Sequence, residues 1–433
     1  MLKNRPFDAL PPEILSTIFL ACITTHPQPH STIAPLLIAQ ISRRWRLVAL
    51  ETPALWCYIV VSGLRADHCR DVLVLWSQRA GALPLTYDIA AQTDELGRDL
   101  LDDALRFQQR WKDVKLSLPA AAYSALTVDA HMFPLLRKLS IRPRYQPWNA
   151  PQAMTLSFLN APLLTDLDIS ASEISGLKVL APYSQLHSLT LVCGVEDLHI
   201  LRDCSALVNL SAYVVSLDNT EVPESIRADP IRLGSVESIT VLAPELLHLF
   251  VLPSLHSLAF SLAPETDASA ILALLESWEA ASSIETLDLR MVWDAASFEV
   301  LLVGLPSVTT LHVDFALDAY RHPSAVKAVL GLLADEWQGN HVVLPHLQTL
   351  RVQSPAGKTY PVGALLTLLR SRARGDLPGD LKRMKLDVWA LRPNELPGIA
   401  QIREVLAETR AIVQSVGKGH DGCAEEVFFA LEA

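Results

Sequence analysis

A chain of 433 residues exceeds the roughly 250 to 300 at which a single hydrophobic core stops growing, so it divides or elongates. Half of its residues are hydrophobic and 19% are charged, a composition that excludes wholesale disorder. A formal net charge of -11 argues against a general binder of nucleic-acid backbones, which needs a surplus of Lys and Arg.

The opening stretch MLKNRPFDALPPE lacks the apolar core and small-residue cleavage site of a secretory signal, and no later run of 18 apolar residues exists. A cytoplasmic or nuclear chain without membrane contact is expected. Pro11 and Pro12 suit a helix's first turn, and Ile14, Leu15, Ile18, Phe19 and Cys22 then recur at helical spacing. After Pro27 and Pro29 a second helix is expected from near Ser31, carrying Ile33, Leu37, Ile41, Trp45 and Val48 along one stripe until Pro53.

PFDALPPEILSTIF (6–19) and IAQISRRWRLVALETPALW (38–56) together resemble the F-box. VLVLWSQRAGALPLTYDI (72–89) and RFQQRWKDVKLSLP (106–119) are similar to the segments that follow it in a large group of fungal F-box proteins. The resemblance covers about the first 120 residues. It implies a small helical module, residues 6–58, that docks on a Skp-type adaptor and joins a client to a cullin-RING ubiquitin ligase. By position in the motif, Leu10, Pro11, Ile14, Leu15, Ile18, Phe19, Ile41, Trp45 and Trp56 would be its adaptor-facing or module-defining residues. The chain departs from the family at Ile41 and Ser42, where Cys or Val-Cys is common, and in the polar interval from Thr24 to Thr32.

Beyond the module one phrase, L-x-x-L-x-L with substitutions, recurs. Its copies are WKDVKL from Trp111, LRKLSI from Leu136, LTDLDI from Leu164, LHSLTL from Leu186, LVNLSA from Leu207, VESITV from Val236, LHSLAF from Leu255, IETLDL from Ile284, VTTLHV from Val308, LQTLRV from Leu347 and LKRMKL from Leu381. Their mean spacing of about 27 residues lies in the leucine-rich-repeat range, although single spacings run from about 19 to about 39. The last four residues of each copy alternate, as a half-buried strand requires, and Pro134, Pro162, Pro253, Pro306 and Pro345 mark turns just before. Helical patterns fill 268–280, 297–305, 324–337 and 362–373.

The expected fold class is therefore α/β: a helical F-box module, a helix–strand connector with the first repeats (59–125) and an irregular leucine-rich-repeat-like array (126–395). Its solenoid would carry one parallel curved sheet with helices on the outer face. Residues 396–433 would form a helical cap and tail, with Ile399, Ile402, Leu406, Ile412, Val413 and Val416 at roughly helical spacing.

On a strand, residues between the apolar ones face away from the helices. Asp166, Asp168, His187, Asn209, His256, Asp288, Arg290, His312, Asp314 and Arg351 would thus line a polar, client-binding face. Trp148, in the proline-flanked loop RPRYQPWNAP (142–151), is a candidate recognition anchor. Cys22, Cys57, Cys69, Cys193, Cys204 and Cys423 show no metal-site spacing and are expected as reduced, mostly buried thiols. With no nucleotide-binding, zinc-hydrolase or nucleophile-elbow motif, no catalytic residue, metal or cofactor is expected. The expected function is a non-catalytic substrate receptor of a cullin-RING ligase whose client is an unnamed protein; the alternative is a ligase-independent interaction scaffold.

Overall fold

A computed structural model gives the fold of residues 10–23, 29–62, 66–127, 131–144, 154–170, 177–214, 229–262, 266–292, 295–315, 323–333, 344–356, 363–364, 367, 383–390, 412–418 and 425–432. The chain is α/β and falls into two compact units, Met1–Leu207 with Val215–Thr220, and Val208–Val214 with Glu221–Ala433. No described helix is long and apolar enough to cross a membrane.

The first unit opens on α1 (Pro12–Ala21), α2 (Leu36–Ile41) and α3 (Arg43–Leu50). The single helix expected from Ser31 to Pro53 is broken at Ser42, whose extended backbone (φ -153°, ψ 163°) interrupts the helix. Its hydroxyl accepts the Trp45 N–H at 3.1 Å and so caps α3. Leu15 and Phe19 are fully buried, and the Phe19 ring lies 5.0 Å from that of Trp45. The Thr52 hydroxyl donates to the Val48 carbonyl at 2.7 Å and meets Ser16 Oγ at 2.9 Å, and the Arg44 guanidinium donates to the Leu10 carbonyl. A short 3-10 turn, Pro53–Trp56, leads onward. There the buried Trp56 indole donates to the Ala49 carbonyl at 2.9 Å, meets Trp76 edge-on at 5.2 Å and carries the Arg79 guanidinium 4.6 Å above its ring.

Next come β1 (Tyr58–Val60), α4 (Ala66–Arg79), β2 (Leu85–Ala90), α5 (Asp94–Leu105), β3 (Trp111–Ser117), β4 (Lys138–Ile141), β5 (Met154–Ser157), β6 (Asp166–Ile169), β7 (Leu177–Leu180) and β8 (Ser188–Cys193). Strands β1, β2, β3, β4, β6 and β8 pair in that order, all parallel, while β5 and β7 form a separate parallel pair. Trp111 repeats the device of Trp56, its indole donating at 3.1 Å to the Ala104 carbonyl seven residues back. Side chains alternate strictly: Leu85, Tyr87 and Ile89, Val114 and Leu116, Leu139 and Ile141, and Leu167 and Ile169 point into the core. A ladder of buried rings runs from Tyr87 on β2 and Trp111 on β3 to Phe133 and Phe158 outside the strands, with centroids 6.1, 5.1 and 5.2 Å apart.

The second unit contains β9 (Asn209–Val214), β10 (Ile231–Arg232), β11 (Ser238–Val241), β12 (Phe250–Val251), β13 (Ser257–Ser261), α6 (Ala268–Ser277), β14 (Thr286–Val292), α7 (Ala295–Gly304), β15 (Thr310–Phe315), α8 (Pro323–Leu333), β16 (Thr349–Ala356), β17 (Arg383–Ala390), β18 (Ile412–Lys418) and β19 (Glu425–Glu432). Strands β9, β11, β13, β14, β15, β16 and β17 pair in parallel in chain order. Asp267 caps α6, its carboxylate accepting the N–H groups of Ser269 and Ala270. Gly304 lets α7 approach Leu272 on α6, since a Cβ there would clash with that side chain.

Each of the eleven repeated phrases ends in a strand. Two expectations need correction. Helices α6, α7 and α8 follow the expected patterns, but elsewhere the returns include 3-10 turns, Ala120–Thr127, Tyr183–Gln185, Val195–Asp203 and Pro244–Leu249, and the pairs β5–β7 and β10–β12. An interval of about 19 residues leaves no room for a multi-turn α-helix with its two loops, and proline at Pro182 and Pro244 favours a tight turn. At the C-terminus, residues 412–418 and 425–432 are strands rather than a helical cap: β19 runs antiparallel to β17, and β18 antiparallel to β19. Residues 397–411 of the expected cap lie outside the described residues.

Candidate functional site

In the first unit the register sets the open-face residues in rows. One row holds Tyr58, Thr86, Asp113, Lys138, Asp166 and Ser188; the next holds Asp88, Lys115, Ser140, Asp168 and Thr190. They line a shallow trough of about 570 Å³. Its charges interlock across strands: Lys115 Nζ lies 3.4 Å from Asp88, Lys138 Nζ 3.4 Å from Asp166, and Arg142 2.7 Å from Asp168. Ser140 and Ser170 donate to the Asp168 carboxylate at 2.8 and 2.6 Å. Burial alone would push the Asp168 pKa up, but bonds from Ser170, Arg142 and Ser140 outweigh it and hold the carboxyl below its ordinary value. Burial, with Asp88 and Asp113 nearby, pushes the Tyr58 hydroxyl up.

The open face of the second unit carries a hydroxyl row, Ser238, Ser257, Thr286, Thr310 and Thr349, led by Asn209. Beside it lies a charged cluster. Asp288, His312 and Arg351 stand in register on β14, β15 and β16. His312 Nδ1 is 3.3 Å and Arg290 3.2 Å from Asp288, and His312 Nε2 is buried without a hydrogen-bond partner among the described residues. For Asp288 the burial that raises its pKa is outweighed by His312 and Arg290, so it titrates below the ordinary range. Arg290 is kept charged by Asp288 and Tyr213 against the opposing effect of burial. Asp314 differs: burial dominates and raises its pKa.

Of the expected face residues, Asp166 and Asp168 meet in the trough, and Asp288, Arg290, His312, Asp314 and Arg351 gather in the second cluster. Asn209 stands at the head of β9. His187 and His256 are misplaced by the sequence reading: each precedes its strand by one residue and stands exposed in the turn, its Nδ1 at 3.1 Å from the Gln185 carbonyl or 2.6 Å from that of Ser254. Trp148 lies outside the described residues. The reading missed Asp88, Asp113, Lys115, Lys138, Ser140, Arg142 and Tyr213, most of which occupy the same alternate positions in WKDVKL, LRKLSI and LVNLSAYV.

The nine module residues separate into three sets. Leu15, Phe19 and Trp56 have no exposure and build the core, so they cannot touch a partner directly. Leu10, Ile18 and Trp45 are half-buried, and Pro11, Ile14 and Ile41 are exposed. With Ile14 (48% exposed) and Ile41 (50%) go four residues the sequence reading did not select, Leu20, Leu37, Leu47 and Leu50, at 37–55%. Six large apolar side chains are thus left in water on α1–α3, where α1 and α2 each pack against α3.

Among the described residues no three His, Cys, Asp or Glu side chains gather into a metal site. Cys69 and Cys204 are buried, Cys57 and Cys193 half-buried and Cys22 exposed, so the expectation of mostly buried thiols was too broad; Cys423 lies outside the described residues. The chain matches no protein-family model, and no curated protein is significantly similar to it.

Proposed function

We propose that the chain is a substrate-recognition subunit of a Skp-cullin-F-box type ubiquitin ligase, built as an F-box-like module followed by a leucine-rich-repeat-like solenoid. Helices α1–α3 dock on the adaptor, and the repeat array, with the polar open faces of its strands, receives a client protein. The observation that carries this reading is the exposed apolar set Ile14, Leu20, Leu37, Ile41, Leu47 and Leu50, in the segment whose sequence resembles the F-box. The mechanism is proximity: the receptor raises the effective concentration of client lysines near a charged conjugating enzyme and supplies no nucleophile. Ion-paired rows of side chains in strict register suit recognition of a protein surface.

The test is co-expression of the full chain with a Skp-type adaptor and co-purification, comparing wild type with Ile14→Asp/Ile41→Asp. Both side chains are about half exposed, so the variant should keep the wild-type unfolding midpoint while losing the complex. Absence of a wild-type complex with every adaptor of the host would refute the reading. A second reading, a ligase-independent scaffold whose helices only close the end of the sheet, is favoured by one observation: Trp56 ties α3 to α4 through Ala49 and Trp76. It would then be the reading left standing.

A further inference from the structure

The turn before seven of the eleven repeated strands has one geometry. The N–H of the buried residue that leads the phrase bonds back three residues, from Leu136 to Phe133, Leu164 to Ala161, Leu186 to Tyr183, Val236 to Leu233, Leu255 to Leu252, Val308 to Leu305 and Leu347 to Leu344. The residue just before that leading position points away from the core, and it is polar in most copies: Gln185, Ser235, Ser254, Ser307 and His346. In two consecutive copies it is leucine instead. Leu135 and Leu163 stand 37% and 42% exposed, and on the same two turns Met132 and Leu159 are 49% and 56% exposed.

These turns touch. The Phe133 N–H donates to the Asn160 carbonyl at 3.1 Å, and Asn160 Nδ2 donates to the His131 carbonyl at 3.2 Å. Beneath them Phe133 and Phe158 are fully buried with ring centroids 5.2 Å apart, so the exposed leucines sit on a fixed platform. A row of backbone bonds borders the platform, running from Arg137 to Lys112, Thr165 to Arg137 and His187 to Thr165. It carries exposed Lys112, Arg137 and His187 with no carboxylate of its own; the Lys112 ammonium lies 3.6 Å from Asp113 in the next row. In the second unit the same series of bonds links Val208, Glu237, His256, Glu285, Thr309 and Gln348, a row without Lys or Arg. Lys112 and Arg137 beside an apolar platform are therefore a local feature of this stretch of the array.

We propose that this platform binds an amphipathic helix whose apolar stripe is flanked by acidic residues, contributed by a partner protein. Successive turns lie one strand spacing apart, about 4.8 Å, close to the roughly 5.4 Å rise of a helical turn and short of the roughly 6.7 Å between same-face residues of a strand. Apolar anchors at i and i+3 or i+4 thus fall over Leu135 and Leu163, while flanking carboxylates meet Arg137 and Lys112. This site is independent of the adaptor face on α1–α3.

The test uses the full chain and two labelled helical peptides of identical leucine stripe, one with glutamate flanks and one with lysine flanks, read by fluorescence anisotropy. The expected result is saturable binding of the glutamate peptide, at least tenfold weaker binding of the lysine peptide, and a loss of at least tenfold in Leu135→Ser/Leu163→Ser. That variant installs the residue found at the same turn position in Ser235 and Ser254, so the fold tolerates it. Arg137→Glu should narrow the preference for glutamate flanks. Equal binding of both peptides, no binding of the glutamate peptide, or unchanged binding by the serine variant would overturn the proposal. So would a concentration-dependent doubling of mass that the serine variant abolishes, which would make a second copy of the chain the occupant.

Discussion

Trp56 separates a residue that builds the module from one that meets a partner. Replacing it by Phe keeps an aromatic ring in a fully buried site but removes the indole N–H that satisfies the Ala49 carbonyl at 2.9 Å. The Ala49 carbonyl still accepts the Thr52 N–H at 3.3 Å, so the loss is that of one buried hydrogen bond, about 0.5–1.5 kcal/mol. The smaller ring also weakens the edge contact with Trp76 at 5.2 Å and the face offered to Arg79 at 4.6 Å, each worth about 0.5–1 kcal/mol. The sum is about 1.5–3.5 kcal/mol, and at about 2–4 °C per kcal/mol for a unit of this size the midpoint should fall by about 3–14 °C. Thermal unfolding of full-length Trp56→Phe followed by circular dichroism reads that shift, and adaptor titration well below the midpoint reads binding. An unchanged midpoint would refute the packing argument. A lost complex with an unchanged midpoint would mean that Trp56 touches the partner.

Ser42→Ala removes the cap of α3 and should cost about 1 kcal/mol, seen as faster hydrogen exchange in residues 43–50 and restored by Ser42→Asp. The pKa of Asp168 is depressed, so its contribution to stability is present above the ordinary carboxylate value of about 3.9 and is lost as pH falls through the folded value. Asp168→Asn should therefore flatten the acid limb of a urea-unfolding profile below about pH 4, and Arg142→Ala should flatten it in part. Asp314 carries the opposite sign. Its pKa is raised by burial, so stability is lost as pH rises from about 4 through the folded value, and Asp314→Asn should raise the unfolding midpoint at pH 7 but not at about pH 3. A loss of stability in that variant at pH 7 would contradict the assignment.

The repeated strands were legible because alternation is a local property: in LTDLDI or VTTLHV the apolar residues alone fix which face is buried. What lay beyond the sequence depended on position along the chain to within one residue. His187 and His256 share the parity of buried strand residues, yet because β8 and β13 begin one residue later they stand in the turn. Ser42 reads as one polar position in a helical stripe, and only its extended backbone turns it into a cap. In the C-terminal region Ile412, Val413 and Val416 fit a helical spacing as readily as a strand, and pairing with β19 decides for the strand. The module's exposed apolar residues could not be ranked from spacing, since Leu15 and Ile14 are adjacent in an apolar run and only the packing of α1 on α3 buries the first and leaves the second in water.

The open faces also bear on what kind of client they select. Lys115 with Asp88, Lys138 with Asp166, Arg142 with Asp168 and Arg290 with Asp288 are already paired across or along the strands. A client that docks there exchanges ion pairs rather than creating them, and exchange at half-exposed sites yields little net affinity. It does penalise a client whose charges fall out of step with the strand spacing, because a misplaced charge leaves one of these groups desolvated and unmatched. Affinity for a client would then have to come from apolar surface, such as that exposed on the turns around Leu135 and Leu163. On the proposed reading, the charged strand faces select a client, and exposed apolar side chains on other elements hold it.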